Sequence, residues 1–264
     1  MSVKLTILGC GSSAGVPRIG GDWGACDKTN PKNRRRRCSV LLEQVQGAGT
    51  TRVLIDTSPD MREQMLSAEV PVIDGVWYTH EHADHTHGID ELRAYYLLQR
   101  KRIPIWADSA TATMLKSRFA YCFESPVGSD YPSIIQHHTI EPEVAIATNG
   151  AGGSISGLPF IVNHGNIDAL GFRIGNVAYT PDVNDIPADS MEALEGLDVW
   201  IVDALRRTPH PSHFSLPETL SWIERIKPKR AILTNMHIDL DYDTLITELP
   251  AHIQPAYDGM TITA

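Results

Sequence analysis

The chain is poor in most of what would mark a special compartment or an extended binding surface. It has four cysteines in 264 residues (Cys10, Cys26, Cys38 and Cys122), at spacings too irregular for a disulfide framework, which fits a reducing cytoplasm. No run approaches the ~20 apolar residues that a membrane helix needs. The opening MSVKLTILGCGSS has neither the charged stretch nor the long apolar stretch of a secretory leader, so a cytoplasmic location is expected. Basic residues are outnumbered, 23 Lys and Arg against 32 Asp and Glu, for a formal net charge of -9. An acidic chain with no long basic insertion is a poor partner for long nucleic acid. One basic cluster interrupts this, Arg34-Arg35-Arg36-Arg37, which reads first as a solvated surface turn and second as a phosphate-facing loop. No repeat, low-complexity segment or linker divides the sequence, so residues 1–264 read as one α/β domain, 42% hydrophobic and long enough for a sizeable core.

What is present is a recurring pattern of short apolar runs that end in polar clusters. Runs at 4–8, 52–55, 75–78, 161–163, 177–179, 199–202 and 231–233 read as buried strands. Helical patterns lie between them at 91–102, 110–123, 191–197 and 216–226; the last opens Ser215-Leu216-Pro217-Glu218, an N-cap with proline in the first turn and glutamate three residues on. The Gly-rich stretch 149–157 reads as a hairpin or loop. Because polar clusters repeatedly follow strands, many strand ends can meet along one edge, where open α/β sheets bind ligands.

One such cluster dominates. The stretch YTHEHADHTHG, residues 78–88, holds four of the eleven histidines together with two carboxylates. His80 and His82 are two apart, so on an extended backbone they point the same way. Asp84 and His85 follow as an adjacent pair that a turn or helix start can aim at a second ion. Imidazole nitrogen and carboxylate oxygen are the donors a hydrolytic dication takes at ~2.0–2.2 Å, and two ions ~3.5–4 Å apart can share an attacking water. The remaining donors must come from elsewhere. His164 follows an apolar run and precedes a glycine, Asp182 ends the run YTPD, and His237 ends the run LTNMH. Together they supply two imidazoles and a carboxylate able to bridge both ions.

HEHADH, then His-Gly, then Tyr-Thr-x-Asp, then a C-terminal histidine, in this order, resembles the metallo-β-lactamase superfamily. The opening LGCGSSAGVPRIGG, the extension HADHTHGIDELR and the late HFS-xx-E are similar to its PhnP-type phosphodiesterases, the phosphoribosyl cyclic phosphate phosphodiesterase-like branch; ribonuclease Z is a more distant likeness. The resemblance implies an αββα four-layer sandwich. It implies one divalent ion on His80, His82 and His164, a second on Asp84, His85 and a C-terminal histidine, and Asp182 between them. Zinc and manganese both suit such donors. Relatives commonly carry histidine where Asn235 stands; on an extended strand end His237 would share its face. They also carry a cysteine cluster after the first strand, of which only Cys26 and Cys38 remain here, too few for a closed tetrahedral site.

Position and chemistry suggest further roles, and the resemblance implies that of His213. Asp84 would ligate and orient the attacking water, and His213, in HPSHFS, would be the general acid, with His210 its neighbour and competitor. Asp56, in LIDTS, would accept the second N–H of a ligand histidine. His87, Arg206 with Arg207, and Ser12 with Ser13 would contact substrate. The expected activity is hydrolysis of a small phosphodiester, a ribose phosphate (cyclic ones included) or a nucleotide. The alternatives are a thioesterase or lactonase of the glyoxalase II kind, which shares the metal motif, and a noncatalytic module that senses a metal or nucleotide. The expected partner is a small phosphorylated substrate rather than a membrane or long nucleic acid, with a homodimer left open.

Overall fold

Strand residues of this chain alternate between two cores, and that alternation sets the architecture. The computed structural model describes residues 2–125 and 127–264. Its first half contributes strands Lys4–Gly9 (β1), Ser39–Gln46 (β2), Gly49–Ile55 (β3), Gly75–Trp77 (β4), Ile103–Ala107 (β5) and Ile135–Thr139 (β6). The second contributes Ile146–Gly150 (β7), Gly153–His164 (β8), Ile167–Ile174 (β9), Val177–Thr180 (β10), Val199–Asp203 (β11), Arg230–Thr234 (β12) and Ile253–Pro255 (β13), before Thr261–Thr263 (β14) returns to the first sheet. Two seven-stranded sheets result, in the orders β14-β1-β2-β3-β4-β5-β6 and β13-β12-β11-β10-β9-β8-β7. Each is antiparallel in its hairpin-connected part and parallel where helices intervene, from β3 through β6 and from β10 through β13.

Leu5, Ile7, Val40, Leu42, Val53, Ile55 and Trp77 pack into the core between the sheets, with Phe160, Val162 and Phe172 opposite. Their strand neighbours Leu8, Leu41, Leu54, Val76 and Tyr78 face the other way, onto Met61, Met65, Leu92 and Leu115 of the helices covering that sheet. A sheet buried on both faces needs continuous apolar runs rather than half-polar alternation, and each such side chain contributes about 1.5–3 kcal/mol on burial. The second sheet is covered by helices Leu216–Ile226 and Tyr242–Glu248, through Ile223 and Leu245. The molecule is therefore an αββα sandwich. Among the described residues, no helix is long and apolar enough to cross a membrane.

The helix at 216–226 forms as expected, and Ser215 and Glu218 close a capping box. Other expectations need correction. The pattern at 110–123 breaks at Phe119, giving helices Ser109–Arg118 and Ala120–Phe123. The pattern at 91–102 stops at Gln99, where Arg100 turns left-handed, and 191–197 gives way to a 3-10 stretch, Ala188–Leu194. Of the arginine run only Arg34 is exposed, so it is not a solvated turn throughout. Arg36 pairs with Asp258 and Arg37 with Asp60. Arg35 is buried and donates to the carbonyls of Leu240 and His237 and to Asn33 Oδ1. It fastens the N-terminal loop to the segment after β12.

The directions of the strands bring the C-terminal ends of β1, β3 and β4 in one sheet, and of β8, β10, β11 and β12 in the other, to one edge of the sandwich. That edge carries the site.

Candidate metal centre

β4 runs into Tyr78, Thr79 and His80, and the backbone stays extended through His82 (φ -63°, ψ 151°) before the short helix Ala83–Thr86 begins. This switch turns His80 and His82 one way and sets Asp84 and His85 on the first helical turn. His164 is the last residue of β8, and Asp182 lies just past the end of β10. The groups converge. Ligand atoms of His80, His82, His164 and Asp182 lie within 4.8 Å of one another, and so do those of Asp84, His85 and Asp182.

Asp182 divides its two oxygens between the groups. Oδ2 lies 3.7 Å from His80 Nε2 and 3.6 Å from His164 Nε2, while Oδ1 lies 3.2 Å from His85 Nε2. Asp84 Oδ2 is 3.5 Å from that same His85 nitrogen. The outer nitrogens are already satisfied. His85 Nδ1 donates to Asp56 Oδ2 at 2.7 Å, His164 Nδ1 donates to the Ser212 carbonyl at 2.6 Å, and His80 Nδ1 donates to Thr79 Oγ1 at 3.0 Å. Thr79 in turn donates to Asp56 through both its N–H and its hydroxyl. These bonds fix tautomer and ring orientation so that Nε2 points inward.

The inward Nε2 atoms of His80 and His85 are fully buried and, among the described residues, have no well-aligned hydrogen-bond partner, the nearby carboxylates notwithstanding. An unpaired buried imidazole nitrogen costs about 1–3 kcal/mol, and a cation between the groups would remove that cost. The electrostatics agree with donor chemistry. Burial, and then the neighbouring His85, push His80 well below the ordinary imidazole range, so it stays neutral with a free lone pair. Burial likewise lowers His164. Burial opposes the charged form of Asp182, yet His85, His213 and His80 outweigh it and hold the carboxyl well below its usual range. Burial also opposes protonation of His85, but Asp182, Asp84 and Asp56 outweigh that and raise it, so a cation binding there would displace a proton from Nε2. The donor set thus fits divalent cations.

His213 stands beside this cluster on the loop before helix Leu216–Ile226. Its Nδ1 donates to Asp203 Oδ2 at 2.7 Å, and its Nε2 lies 4.0 Å from Asp182 Oδ2. Asp203, the last residue of β11, is fully buried, and burial lifts it to about 7. Burial alone would depress His213; the Asp203 carboxylate reverses this and lifts it to about 9. Sequence reading did not assign Asp203 a role, although it ends an apolar run just as Asp182 does.

The C-terminal histidine departs from expectation. β12 ends at Thr234, and Asn235 adopts a left-handed conformation, φ 58°, so the chain turns and residues 235 and 237 no longer share a face. His237 sits outside both groups, with Nδ1 3.1 Å from Asp239 Oδ1 and its ring against the Arg18 guanidinium. Asn235 faces the cluster instead. Its Nδ2 donates to Asp182 Oδ1 at 3.2 Å and lies 3.2 Å from His213 Nδ1.

A cavity of about 400 Å³ opens over the cluster, and Ser12, Arg18, Arg206, His210, His213 and His237 line it. Arg206 is tethered to the carbonyls of Thr208 and Pro209, whereas Arg207 turns away to Glu248. His87 lies outside this cavity, edge-on to Phe119 in an open depression shared with His82 and Arg118. Cys26 lies against Arg35, while Cys38 contacts Gly11 and Thr234.

Fold and candidate centre together are those of a metallo-hydrolase fold. Residues 51–238 match the family described as beta-lactamase superfamily domain. The chain is 37% identical to a diphosphatase from the PhnP family, covering 100% of this chain and 98% of that one with a TM-score of 0.87. Zn(2+)-bound PqqB from Methylobacterium extorquens shares the fold, at 16% identity and a TM-score of 0.74 over 98% of this chain and 99% of that one. A Porphyromonas gingivalis protein named octanoyltransferase is 30% identical over 98% of this chain, which spans only 51% of that protein's length. The chain belongs to the metallo-β-lactamase superfamily, on its PhnP-type branch.

Proposed function

We propose that this chain hydrolyses small phosphoric diesters, a cyclic ribose phosphate or a nucleotide, with two divalent ions, zinc or manganese, as cofactors. His80, His82, His164 and Asp182 would hold one ion, and Asp84, His85 and Asp182 the other. The observation that carries this reading is the division of Asp182, one oxygen toward each group, with His213 beside them and anchored on Asp203. When bound, the ions supply Lewis acidity, ionising water near neutral pH and neutralising phosphoryl oxygens.

The chain's own residues do the rest. Asp84, partly open to the cavity, orients the attacking water. His213 carries a proton on Nε2 and gives it to the leaving oxygen as the P–O bond breaks. Asp203 keeps that imidazole protonated and aimed. Ser12 and Arg206 contact the substrate within the cavity, and His87 contacts a substrate portion that reaches the neighbouring depression. The 37% identity to a PhnP-family diphosphatase supports phosphorus chemistry.

Acyl-ester or thioester cleavage is the second reading, favoured by the relative named octanoyltransferase. A cavity walled by arginines, histidines and serines around Asp84 and Asp182, with Ala14 and Leu205 its apolar side chains, suits an anion held against bound cations better than an octanoyl chain. The test is turnover of bis-p-nitrophenyl phosphate against an octanoyl thioester by the zinc- or manganese-loaded protein. Phosphodiester hydrolysis is expected; cleavage of the thioester alone reverses the ranking.

A further inference from the structure

We propose that the two metal positions are unequal: the group of His80, His82, His164 and Asp182 retains its ion, whereas the group of Asp84, His85 and Asp182 takes one only from excess metal and exchanges it. This rests on the reading of both groups as metal sites. The first offers three imidazoles and a carboxylate, a full tetrahedral complement; the second offers one imidazole and two carboxylates, of which Asp182 is shared. Among the described residues, both groups contain a buried Nε2 with no well-aligned hydrogen-bond partner, on His80 and on His85, so each has a real donor and the difference lies in how many others join it.

Asn235 occupies the direction from which a further donor to the second group would come. Its amide donates to Asp182 Oδ1, the oxygen that faces His85, and so draws on the lone pairs that group would use. The left-handed turn at Asn235 keeps the other C-terminal candidate away. His237 donates its backbone N–H to the Leu205 carbonyl and its ring lies against Asp239 and Arg18, and Arg35 holds its carbonyl. Both ring contacts would have to break for its imidazole to enter, and the two main-chain contacts hold its backbone where it is. Histidine tolerates a left-handed backbone better than most residues, so Asn235→His would place an imidazole where the amide now sits.

The experiment is metal analysis after dialysis of the manganese- or zinc-loaded protein, with calorimetric titration of the stripped protein. About one equivalent should survive dialysis, and titration should show two steps at least ~10-fold apart, since a missing donor weakens a site no less than a missing outer partner does. His237→Ala should leave both steps unchanged. Asn235→His should bring the second step toward the first and raise the retained metal toward about two equivalents. Two equally tight equivalents in the wild type, or loss of one in His237→Ala, would overturn the proposal and leave the hydrolase reading standing. No binding in either experiment would overturn both.

Discussion

His213 is the side chain whose charge depends most visibly on one neighbour. Its folded value of about 9 lies above the ~6.5 of a free imidazole. Its protonation therefore stabilises the fold fully below about 6.5, and that contribution is lost as pH rises through about 9. In metal-stripped protein the His213 ring should titrate near 9 by NMR and move toward ~6.5 in Asp203→Asn; an unmoved midpoint would show that Asp203 does not set it. If the imidazole is the general acid, His213→Ala lowers kcat for a diester by about 10²–10⁴ while metal content stays constant. Loss of metal instead would make it a ligand. Asp56 acts one step further out. It sits at φ 64°, buried, binding His85 and Thr79 at once. Asp56→Ala should weaken metal retention about 10–100-fold without removing any donor atom; undiminished retention would show that His85 needs no support from it.

At the scale of elements, the site is a set of strand ends, and this explains which parts of it could be read in advance. His80, His82, His164 and Asp182 each follow an apolar run, so their arrival at one edge follows from strand direction. Asn235 follows such a run as well, but a single left-handed residue undid the expected register there, because no local pattern distinguishes a strand that continues by two residues from one that turns. Strand β6 was missed for a related reason. IQHHT is an edge strand whose side chains are only partly buried, with His138 stacked on Trp106, and it lacks the apolar signature of the central strands. Arg35 likewise looked like surface until its guanidinium found three carbonyl-type acceptors. The turn that follows the metal-facing helix has its own constraint. A Cβ on Gly88 would lie 2.1 Å from the Ser58 carbonyl, while Gly88 N–H donates to Thr57. Gly88→Ala should therefore displace the 80–88 segment and reduce both melting temperature and retained metal; an unchanged melting curve would show that this backbone yields freely. Just behind His213, Ser215→Ala should cost about 1 kcal/mol by removing the capping box of helix Leu216–Ile226, read as a lowered denaturation midpoint.

At the scale of the molecule, two sheets of matched construction each present parallel-strand ends to the same edge, and Asp182 joins what they bring. The first sheet supplies His80, His82, Asp84 and His85 after β4 and their supporting Asp56 after β3. The second supplies His164, Asp182, Asp203 and Asn235 from four different strands. Separating the sheets would dissolve the centre, so metal and fold should stabilise one another, and chelation should lower the melting temperature. The most direct measurement is an anomalous difference map from crystals grown with manganese. A peak among His80 Nε2, His82 Nδ1, His164 Nε2 and Asp182 Oδ2, with a weaker one beside His85 Nε2 and Asp182 Oδ1, is the predicted result. Density confined to other surfaces, with these nitrogens facing nothing but each other, would contradict it.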